Sequence, residues 1–476
     1  MINIYINSKI YIKLKDVPQE LRLKIMKEYR FKYFTFRGKQ REENTINLME
    51  VKELKGNKWV CLPPNLTYLL NVLKTSDVNF QVIDNRVKPK IENFPDVLIE
   101  FRGEQESWIN KMKAFDYNCI LSASTGGGKT LCSVKLASIL KTPMLFVASK
   151  TSYLKSFSKE VNTFVENPEQ NLTEVNTEWL RNGAKITPYM VASIQALNNK
   201  KILEALENKI GILVGDELHL GLTSEVSRST LFSLNPRYRL FLSATPNVKV
   251  EGYVQACLTP NTISSEVKID YPIYFQRVIT DLGFSQQRKY KSLENYHEKK
   301  EFIYKQPQLL FSSKEFIKWL NDNDRGVLVY CTDQTFQENL AKELNKENIN
   351  TVCFNSKSNK AKYEEYFKDF DSGKIRVIVG GVAVVESLSL YRLSVVLDLD
   401  LSSTENGFQQ LVGRLRRRDT SISDKDKVYI KLMFKGMNES KFTYVIKPTI
   451  NNYMKDYVKI LEPKISKDFE LLDIFV

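Results

Sequence analysis

The run Ile120-Leu-Ser-Ala-Ser-Thr-Gly-Gly-Gly-Lys-Thr130 joins an apolar strand to a glycine-rich turn that leads into a helix-like segment. Consecutive glycines let backbone N–H groups turn inward around phosphate oxygens, and the first turn of a helix adds the positive end of its dipole. In this pattern Lys129 reaches the β- and γ-phosphates, and the Thr130 hydroxyl binds Mg²⁺. The predicted cradle comprises Thr125, Gly126, Gly127 and Gly128. A glycine-rich loop that only caps a helix is the alternative, but the strand–loop–helix order favours a site for the phosphates of a nucleotide and Mg²⁺.

Two adjacent acids, Asp216 and Glu217, follow the apolar strand Ile212-Leu-Val214. Because ligands of parallel α/β sheets bind at the carboxyl ends of strands, we expect these acids beside the phosphate loop. Asp216 is the predicted Mg²⁺ ligand, directly or through water, and Glu217 is predicted to polarise the attacking water. Without that loop, a solvated turn would be the favoured explanation of the pair. His219 follows two residues later and is either a functional residue or a hydrogen-bonded structural histidine.

The composition is that of a folded chain with several domains. Its 476 residues are 42% hydrophobic, 26% charged and 11% aromatic, enough for about three domains of roughly 150 residues. Sparse glycine and proline exclude a largely disordered or fibrous chain, and no apolar run reaches the roughly 18 residues of a membrane helix. The amino terminus lacks the pattern of a signal peptide. We therefore expect a cytoplasmic protein, in the host cytoplasm if a phage encodes it, with no membrane partner.

The charge indicates which class of partner the chain binds, and the cysteines indicate whether it holds zinc. The net charge is +14, and residues 1–90 hold 18 Lys and Arg against 9 Asp and Glu, so that +9 lies in this first part. An excess of this kind suggests a polyanionic partner, although many basic proteins bind no nucleic acid. The chain has six cysteines without a CxxC pair and only two histidines, which disfavours a Cys/His zinc site.

Apolar strand-like runs alternate with helix-length segments in two separate sets. The first set extends from Asn118 to Leu242 and includes predicted strands at 118–122 and 144–148. The second extends from Gly326 to Leu432 and includes predicted strands at 326–330 and 351–354. This alternation predicts βαβ units and two parallel sheets. The predicted fold class is therefore α/β, with two tandem parallel-sheet domains preceded by a small basic α+β N-terminal domain.

Four motifs, in this order, resemble those of the superfamily 2 DExH helicases and translocases. They are Arg102-Gly-Glu-Gln105, Asp216-Glu-Leu-His219, Ser243-Ala-Thr245 and Gln410-Leu-Val-Gly-Arg-Leu-Arg-Arg417. The resemblance covers roughly residues 100–435 and implies two RecA-like P-loop domains that hydrolyse ATP. The implied domains are a DNA-binding accessory domain at 1–95, motor domain 1 at 96–261, a connector at 262–312, motor domain 2 at 313–447 and a C-terminal extension at 448–476.

The resemblance also implies roles for single residues. Gln105 would contact the adenine, and His219, Ser243 and Thr245 would couple hydrolysis to movement. Arg414 and Arg417 would be arginine fingers, because a guanidinium can counter charge on the γ-phosphate, and Gln410 would also face the nucleotide. We interpret the neighbouring Arg416 and Arg418 as solvated surface residues.

Further implied contacts are with the nucleic-acid backbone. The strand-end elements that resemble such contacts contain Ser149, Lys150, Ser193, Gln195, Thr332 and Gly381. At Gly381 the sequence departs from the family pattern, which has a hydroxyl residue there, and Ser387 replaces a later glycine.

The basic N-terminal domain in front of the motor resembles the layout of the phage UvsW-type helicases, which are similar in role to RecG and act on branched DNA. This layout predicts fork unwinding or regression and branch migration of Holliday junctions in recombination, repair or replication. The expected partner is branched or forked DNA, and a monomer is the favoured oligomeric state.

Other classes remain open on the sequence alone. A DExH RNA helicase would share every motor motif. A translocase subunit of a restriction-type complex would usually bring a nuclease cluster of carboxylates and lysine, which we do not find at 1–95 or 440–476. A basic binding protein with an inactive P-loop fold would have lost some of the site residues, and a metabolic kinase would leave Ser243-Ala-Thr245 and the paired arginines unexplained.

Overall fold

The structure is a computed structural model in which the chain divides into two compact units, Met1–Glu266 and Val267–Val476. It describes residues 1–476 except 38–39, 77, 102–103, 124–126, 150, 218–223, 244–251, 265–270, 282, 356–357, 359–361, 382–389, 402–403, 417–424, 436–437 and 468–476. Within the described residues, no helix combines the length and apolar character needed to cross a bilayer.

The first unit begins with a small five-stranded sheet. Its elements, with a separate hairpin of β3 and β4, are β1 Ile2–Ile6, β2 Ile10–Lys13, α1 Gln19–Glu28, β3 Arg30–Arg37, β4 Gln40–Asn47, β5 Glu50–Leu54, β6 Asn57–Leu62, α2 Leu66–Leu73 and β7 Phe80–Asp84. The strand order is β5-β6-β2-β1-β7, antiparallel except for the parallel pair β1–β7. Alternate residues Ile2, Ile4 and Ile6 are buried, as expected for strands with one face on a core.

The rest of the first unit is a parallel sheet between helices. Its elements are α3 Gln105–Ala114, β8 Asn118–Ser122, α4 Lys129–Leu140, β9 Met144–Ala148, α5 Thr151–Phe164, α6 Pro168–Asn171, β10 Leu172–Glu174, α7 Thr177–Arg181, β11 Tyr189–Ser193, α8 Lys200–Leu206, β12 Ile212–Asp216, α9 Glu225–Leu231, β13 Tyr238–Ser243, α10 Gly252–Cys257 and β14 Thr262–Ser264. The strand order is β10-β11-β9-β12-β13-β8-β14. Both faces are covered: Cys119 belongs to one apolar cluster, and its sequence neighbour Ile120 belongs to the other. This double burial explains why the strands are continuous apolar runs.

The small sheet and the parallel sheet share one apolar core. Ile4 and Leu69 of the small sheet domain belong to the same cluster as Leu145 and Phe241 of the parallel sheet. The intervening segment, residues 85–98, lies along the parallel-sheet domain: Val87 N donates to Asn235 O (3.1 Å), Ile91 N to Lys141 O (3.1 Å) and Leu98 N to Phe164 O (2.7 Å). We call this segment the strap.

The second unit is another parallel sheet with helices on both faces. Its elements are β15 Ile273–Asp281, α11 Phe284–Ser292, α12 Tyr296–Tyr304, α13 Pro307–Asp322, β16 Gly326–Tyr330, α14 Gln334–Lys346, β17 Thr351–Phe354, α15 Tyr363–Asp371, β18 Val377–Gly380, β19 Leu393–Asp398, α16 Glu405–Leu415, β20 Lys427–Phe434, a π-helical turn Phe442–Ile446, α17 Lys447–Tyr453, β21 Val458–Ile460 and β22 Lys464–Lys467. The order is β17-β18-β16-β19-β20-β15-β21, and β22 also pairs with β15.

The predicted fold class is confirmed: two parallel α/β sheets follow a small α+β sheet. The domain bounds themselves stay predictions. Within the predicted connector 262–312, the structure has β14 in the first parallel sheet, β15 in the second, and helices α11 and α12. Within the predicted extension 448–476, strands β21 and β22 continue the second sheet beyond β15.

Candidate functional site

Three motifs of the first unit meet at the carboxyl edge of its parallel sheet. Strands β8, β13 and β12 are adjacent, with Ser122 opposite Ser243 and Leu242 opposite Asp216. Immediately beyond the strands, Ala123 N donates to Ser243 O at 3.2 Å, and Glu217 N donates to Leu242 O at 3.0 Å. The glycine-rich loop, the acidic pair and the Ser-Ala-Thr motif therefore start side by side, although up to about 120 residues separate them in the sequence.

The turn into α4 is built around a glycine with a left-handed backbone. Gly128 has φ +80° and is the residue before the helix, which begins at Lys129. The buried side chain of Gln105, on α3, donates from Nε2 to Gly127 O at 3.1 Å. A β-carbon at position 128 would overlap this Nε2 atom, so the glycine leaves room for Gln105 as well as supplying the turn.

Lys129 folds back over the loop. Its ammonium group donates from Nζ to Ala123 O at 2.6 Å, which places the charge directly after β8, where the glycine-rich loop begins. Thr130 follows in the first helical turn and is partly exposed. An ammonium group and a helix amino terminus at one point form a site that favours an anion.

Asp216 and Glu217 form a strained, partly buried acidic pair. Burial, together with the charge of Glu217, raises the pKa of Asp216 to about 7, although Lys129 acts in the opposite direction. Glu217 has φ +50°, a left-handed conformation that costs a non-glycine residue about 1 to 3 kcal/mol. Its carboxylate accepts from Ser243 Oγ at 3.2 Å, which helps to hold this conformation.

The arrangement fits a metal-bound triphosphate. Two carboxyl groups lie beside a single ammonium group, and burial followed by the charge of Glu217 raises the pKa of Asp216. A divalent cation would neutralise the excess negative charge of the pair. Thr130 and Asp216 are oxygen donors of the kind that Mg²⁺ takes together with substrate phosphates. Of the other residues predicted for this site, Thr125, Gly126, His219 and Thr245 lie outside the described residues.

The predicted backbone contacts of the first unit lie on the same edge, toward its other side. Ser149 is exposed directly after β9, and Ser193 ends β11 opposite Ala148. Ser193 Oγ accepts from Ala196 N at 3.0 Å, so this hydroxyl also shapes the turn in which exposed Gln195 lies. The structure brings these three residues together, whereas Lys150 lies outside the described residues.

In the second unit, Thr332 and Gly381 are also neighbours at a carboxyl edge. Strand β16 is paired with β18, and Cys331 N donates to Gly380 O at 3.1 Å. A β-carbon at Gly381 would lie 3.2 Å from Cys331 O, a tight approach that gives a physical reason for glycine where the family has a hydroxyl residue.

A buried polar network behind Thr332 was missed by the sequence interpretation. Thr332 Oγ1 donates to Asp400 Oδ1 at 2.6 Å, and Asp400 N donates to Asp398 Oδ1 at 3.0 Å. Asp398 in turn accepts from Lys431 Nζ (2.9 Å) and Tyr429 OH (2.5 Å). The network therefore fixes the start of the loop after β16 to strands β19 and β20. Alternating acids in Leu397-Asp-Leu-Asp400, at a strand end, were the available signal.

The first six residues of the predicted arginine motif, Gln410 to Leu415, form the end of α16. Gln410 is partly exposed, and Arg414, one helical turn later, is 7% exposed. The interpretation of Arg416 as a solvated residue is wrong: its guanidinium stacks over the ring of Tyr457 at 4.8 Å, and burial lowers its pKa. Tyr271 OH donates to Leu415 O at 3.2 Å at the same helix end. Arg417 and Arg418 lie outside the described residues.

Comparison with known proteins identifies two families along the chain. The family described as "Type III restriction enzyme, res subunit" matches residues 98–248, and the helicase conserved C-terminal domain matches residues 311–419. These ranges contain most of the first parallel sheet, β8 to β13, and strands β16 to β19 with α16 of the second.

Several relatives carry helicase or translocase names. Protein 161L of Invertebrate iridescent virus 6 is 28% identical over 38% of this chain, and 109L of Invertebrate iridescent virus 3 is 30% identical over 29%; both are named as helicases. The matched regions span only 42% and 41% of these two relatives. The "DNA 3'-5' translocase XPB2" of Sulfurisphaera tokodaii is 23% identical over 76% of this chain and 87% of its own length.

A solved structure supports the fold. The Hef helicase domain of Pyrococcus furiosus superposes with a TM-score of 0.50 and 16% identity, covering 73% of this chain and 99% of its own. This likeness supports the tandem RecA-like architecture. The two family matches, each on one of the two parallel sheets and in the order of the four motifs, indicate a superfamily 2 helicase.

Proposed function

We propose that the chain is an ATP-dependent DNA helicase or translocase that acts on branched DNA. The observation that carries the proposal is the convergence, at one sheet edge, of the Gly128 turn, Lys129, the Asp216–Glu217 pair and Ser243. An anion-binding turn beside a carboxyl pair is the arrangement that hydrolysis of a metal-bound nucleoside triphosphate requires.

Each group of the first unit has a defined role in this proposal. Lys129 exchanges Ala123 O for phosphate oxygens, Gln105 contacts the adenine, and Glu217 orients the attacking water and accepts its proton. Thr130 and Asp216 would hold Mg²⁺, which neutralises charge on the phosphates when bound. Because Ser243 donates to Glu217, a change at the water-orienting carboxylate is felt directly at the end of β13.

In this proposal the second unit contributes arginines that act on the γ-phosphate, and hydroxyl groups that bind the nucleic-acid backbone. Arg414 and Arg417 counter the charge that spreads over the γ-phosphate in the transition state, and Gln410 lies on the same helix as Arg414. The strand-end hydroxyls of both units grip the sugar-phosphate backbone, a contact that is independent of sequence and so suits a motor. Loss of the γ-phosphate removes the charge that these arginines counter, so that the nucleotide is held less tightly and one grip on the strand is released.

The first test concerns ATP hydrolysis. We expect Lys129→Ala to lower nucleic-acid-stimulated hydrolysis by about a hundredfold or more, since one preorganised cation at the phosphates is removed. Lys141→Ala, at the exposed opposite end of α4, is the matched control and should hydrolyse ATP like the wild type. Normal hydrolysis by a folded Lys129→Ala protein would refute the site.

The second test concerns the substrate. Support for DNA comes from the basic first 90 residues and from the name of the translocase relative. Hydrolysis rates should be measured with single-stranded, duplex, forked and four-way DNA and with matched RNA. We expect the greatest stimulation by forked and four-way DNA. Equal rates with a blunt duplex would remove the branch-specific part, and a preference for RNA would favour an RNA helicase.

A second candidate is the translocase subunit of a restriction-type complex, which the description of the family matching residues 98–248 favours. Such a subunit would depend on a nuclease partner for its product. Unwinding of forked DNA by the isolated chain, without cleavage, would support the helicase over this candidate.

A further inference from the structure

The small N-terminal sheet presents two different faces. Inward residues of β1, β2 and β6, such as Ile4, Ile12 and Val60, are buried in the shared core. Strand register places the alternate residues on the other face, with Tyr5 opposite Tyr11 and Lys13 opposite Trp59. These outward residues are partly exposed, and they do not belong to the core cluster.

Aromatic rings and lysines share this outward face. We name it the aromatic face and define it by Tyr5, Tyr11, Trp59, Lys9, Lys13 and Lys52. The rings of Tyr5 and Trp59 meet edge to face, with centroids 5.7 Å apart. Lys13 Nζ lies 5.6 Å from the centre of the Trp59 ring, within the range of a cation–π interaction.

The charge of the face is positive. Glu50 lies opposite Cys61 and is bonded to both Lys9 (3.2 Å) and Lys52 (2.8 Å). Three ammonium groups against one carboxylate leave the face with a net charge of +2. Trp59 Nε1 points along the sheet to Leu54 O at 3.4 Å, which orients the ring at the edge of the face.

This combination has a chemical complement. Three partly exposed aromatic side chains on one sheet face keep apolar area in water, which a purely structural face would avoid. Flat apolar rings between cations match alternating bases and phosphates, since bases stack on aromatic side chains and phosphates attract lysines. In a duplex the base faces are stacked against each other and are not available to a protein ring.

We propose that the aromatic face binds an unpaired nucleic-acid strand, with bases stacked on Tyr5, Tyr11 and Trp59 and phosphates near Lys9, Lys13 and Lys52. This inference deepens the proposed function and rests on it for its biological meaning: a strand released at a fork would be held by the N-terminal sheet of the first unit. The binding itself can be measured without ATP.

The experiment uses the full chain and fluorescence anisotropy of a labelled oligothymidylate of about 12 nucleotides, with oligouridylate and a blunt duplex as further arms. Trp59→Ala is expected to weaken single-strand binding about 5- to 150-fold, because one stacked base is worth about 1–3 kcal/mol. Duplex binding should change less than twofold. The oligouridylate arm shows whether the face distinguishes DNA from RNA.

A charge reversal on each side of the sheet provides the matched pair. Lys13→Glu lies on the aromatic face, whereas Lys58→Glu changes the same charge on the same strand pair but on an exposed residue of the opposite face. We expect the first to weaken single-strand binding at least fivefold more than the second. Circular dichroism melting confirms that each variant is folded, and Lys13→Glu keeps the test available if Trp59→Ala does not fold.

The outcomes separate this proposal from the function on which it rests. Equal effects of Lys13→Glu and Lys58→Glu, or less than a twofold effect of Trp59→Ala in a folded protein, would overturn the aromatic face while leaving stimulated ATP hydrolysis intact. A different result would separate the two proposals in the other direction. If oligonucleotide binding depends on Trp59 and Lys13 but nucleic acid does not stimulate ATP hydrolysis by the wild type, the aromatic face is supported and the proposed motor is rejected.

Discussion

Substituting Gly128 by alanine should expose how the nucleotide turn is built. The new β-carbon would overlap Gln105 Nε2, and the buried amide could escape only by giving up its 3.1 Å hydrogen bond to Gly127 O. Loss of that bond costs about 0.5–1.5 kcal/mol, and a left-handed alanine costs a further 1–2 kcal/mol. The conformation that binds nucleotide should therefore become less favourable by about 1.5–3.5 kcal/mol.

The assay is titration of a fluorescent ATP analogue, where this free energy corresponds to about 10- to 400-fold weaker binding. Gly183→Ala is the matched control: Gly183 has φ +87°, but a β-carbon there would have nothing within 4 Å. It carries the backbone strain without the collision, so it should lower the melting temperature and leave ATP affinity unchanged.

A double substitution isolates the steric part. Since Gln105→Ala removes the colliding amide, adding Gly128→Ala to it should cost less than Gly128→Ala costs alone, with a coupling of about 0.5 kcal/mol or more. Strictly additive effects, or wild-type ATP affinity in the Gly128→Ala protein, would refute this account of the turn.

Three further predictions concern buried charge. Because the pKa of Asp216 is raised to about 7, Mg²⁺ must displace a proton from Asp216 below that pH. The Mg²⁺ affinity measured by calorimetry should therefore rise by up to about tenfold per pH unit toward pH 7 and then level off. An Asp216→Asn protein should lose this dependence, and a wild-type affinity that does not change with pH would contradict the prediction. For the same reason, since the folded chain holds this proton more tightly than the unfolded chain, Asp216 makes the free energy of unfolding fall as pH rises from about 4 to about 7. Lys431→Met should lower the free energy of unfolding, measured in urea, by about 3–5 kcal/mol, because it leaves Asp398 buried without its cation. Adding Asp398→Asn to this variant should recover part of the loss. Equal stability of Lys431→Met and the wild type would rule out this interpretation.

The sheets were predictable from the sequence where strands are buried on both faces. The expected strands at 118–122, 144–148, 326–330 and 351–354 have the same bounds in the structure. Each is a short apolar run between turn residues, and a strand covered by helices on both faces needs no polar alternation. Local residues thus carried enough information for these elements.

Strand β15 was hidden in the predicted connector because polar residues, Gln276 and Arg277, interrupt its apolar sequence. Gln276 is buried within it and donates to Glu462 O at 2.7 Å, a partner 186 residues away. The alternation of Ile273, Phe275 and Ile279 was the signal, but Arg277 interrupts it with a guanidinium that stacks 3.7 Å from the ring centre of Phe442. Residues distant in the chain therefore provide the contacts for the polar side chains of β15, and a local pattern of hydrophobicity cannot show these contacts.

The same distinction holds for the site. The loop at 123–130 and the pair Asp216–Glu217 could be predicted, since their chemistry resides in adjacent residues. The bond from Thr332 to Asp400 could not, because it joins residues 68 apart whose proximity depends on the order of strands in the sheet. The stacking of Arg416 on Tyr457 depends likewise on the path of the C-terminal segment along β15.

The strap changes what a power stroke of the first unit would carry with it. A linker of loose coil would let the N-terminal sheet diffuse, but residues 85–98 are bonded at Asn235, Lys141 and Phe164, and the two sheets bury one common interior. A movement of the parallel sheet should therefore move the N-terminal sheet together with it. In the proposed motor, a nucleic-acid strand bound to the N-terminal sheet would then be displaced each time a nucleotide is hydrolysed.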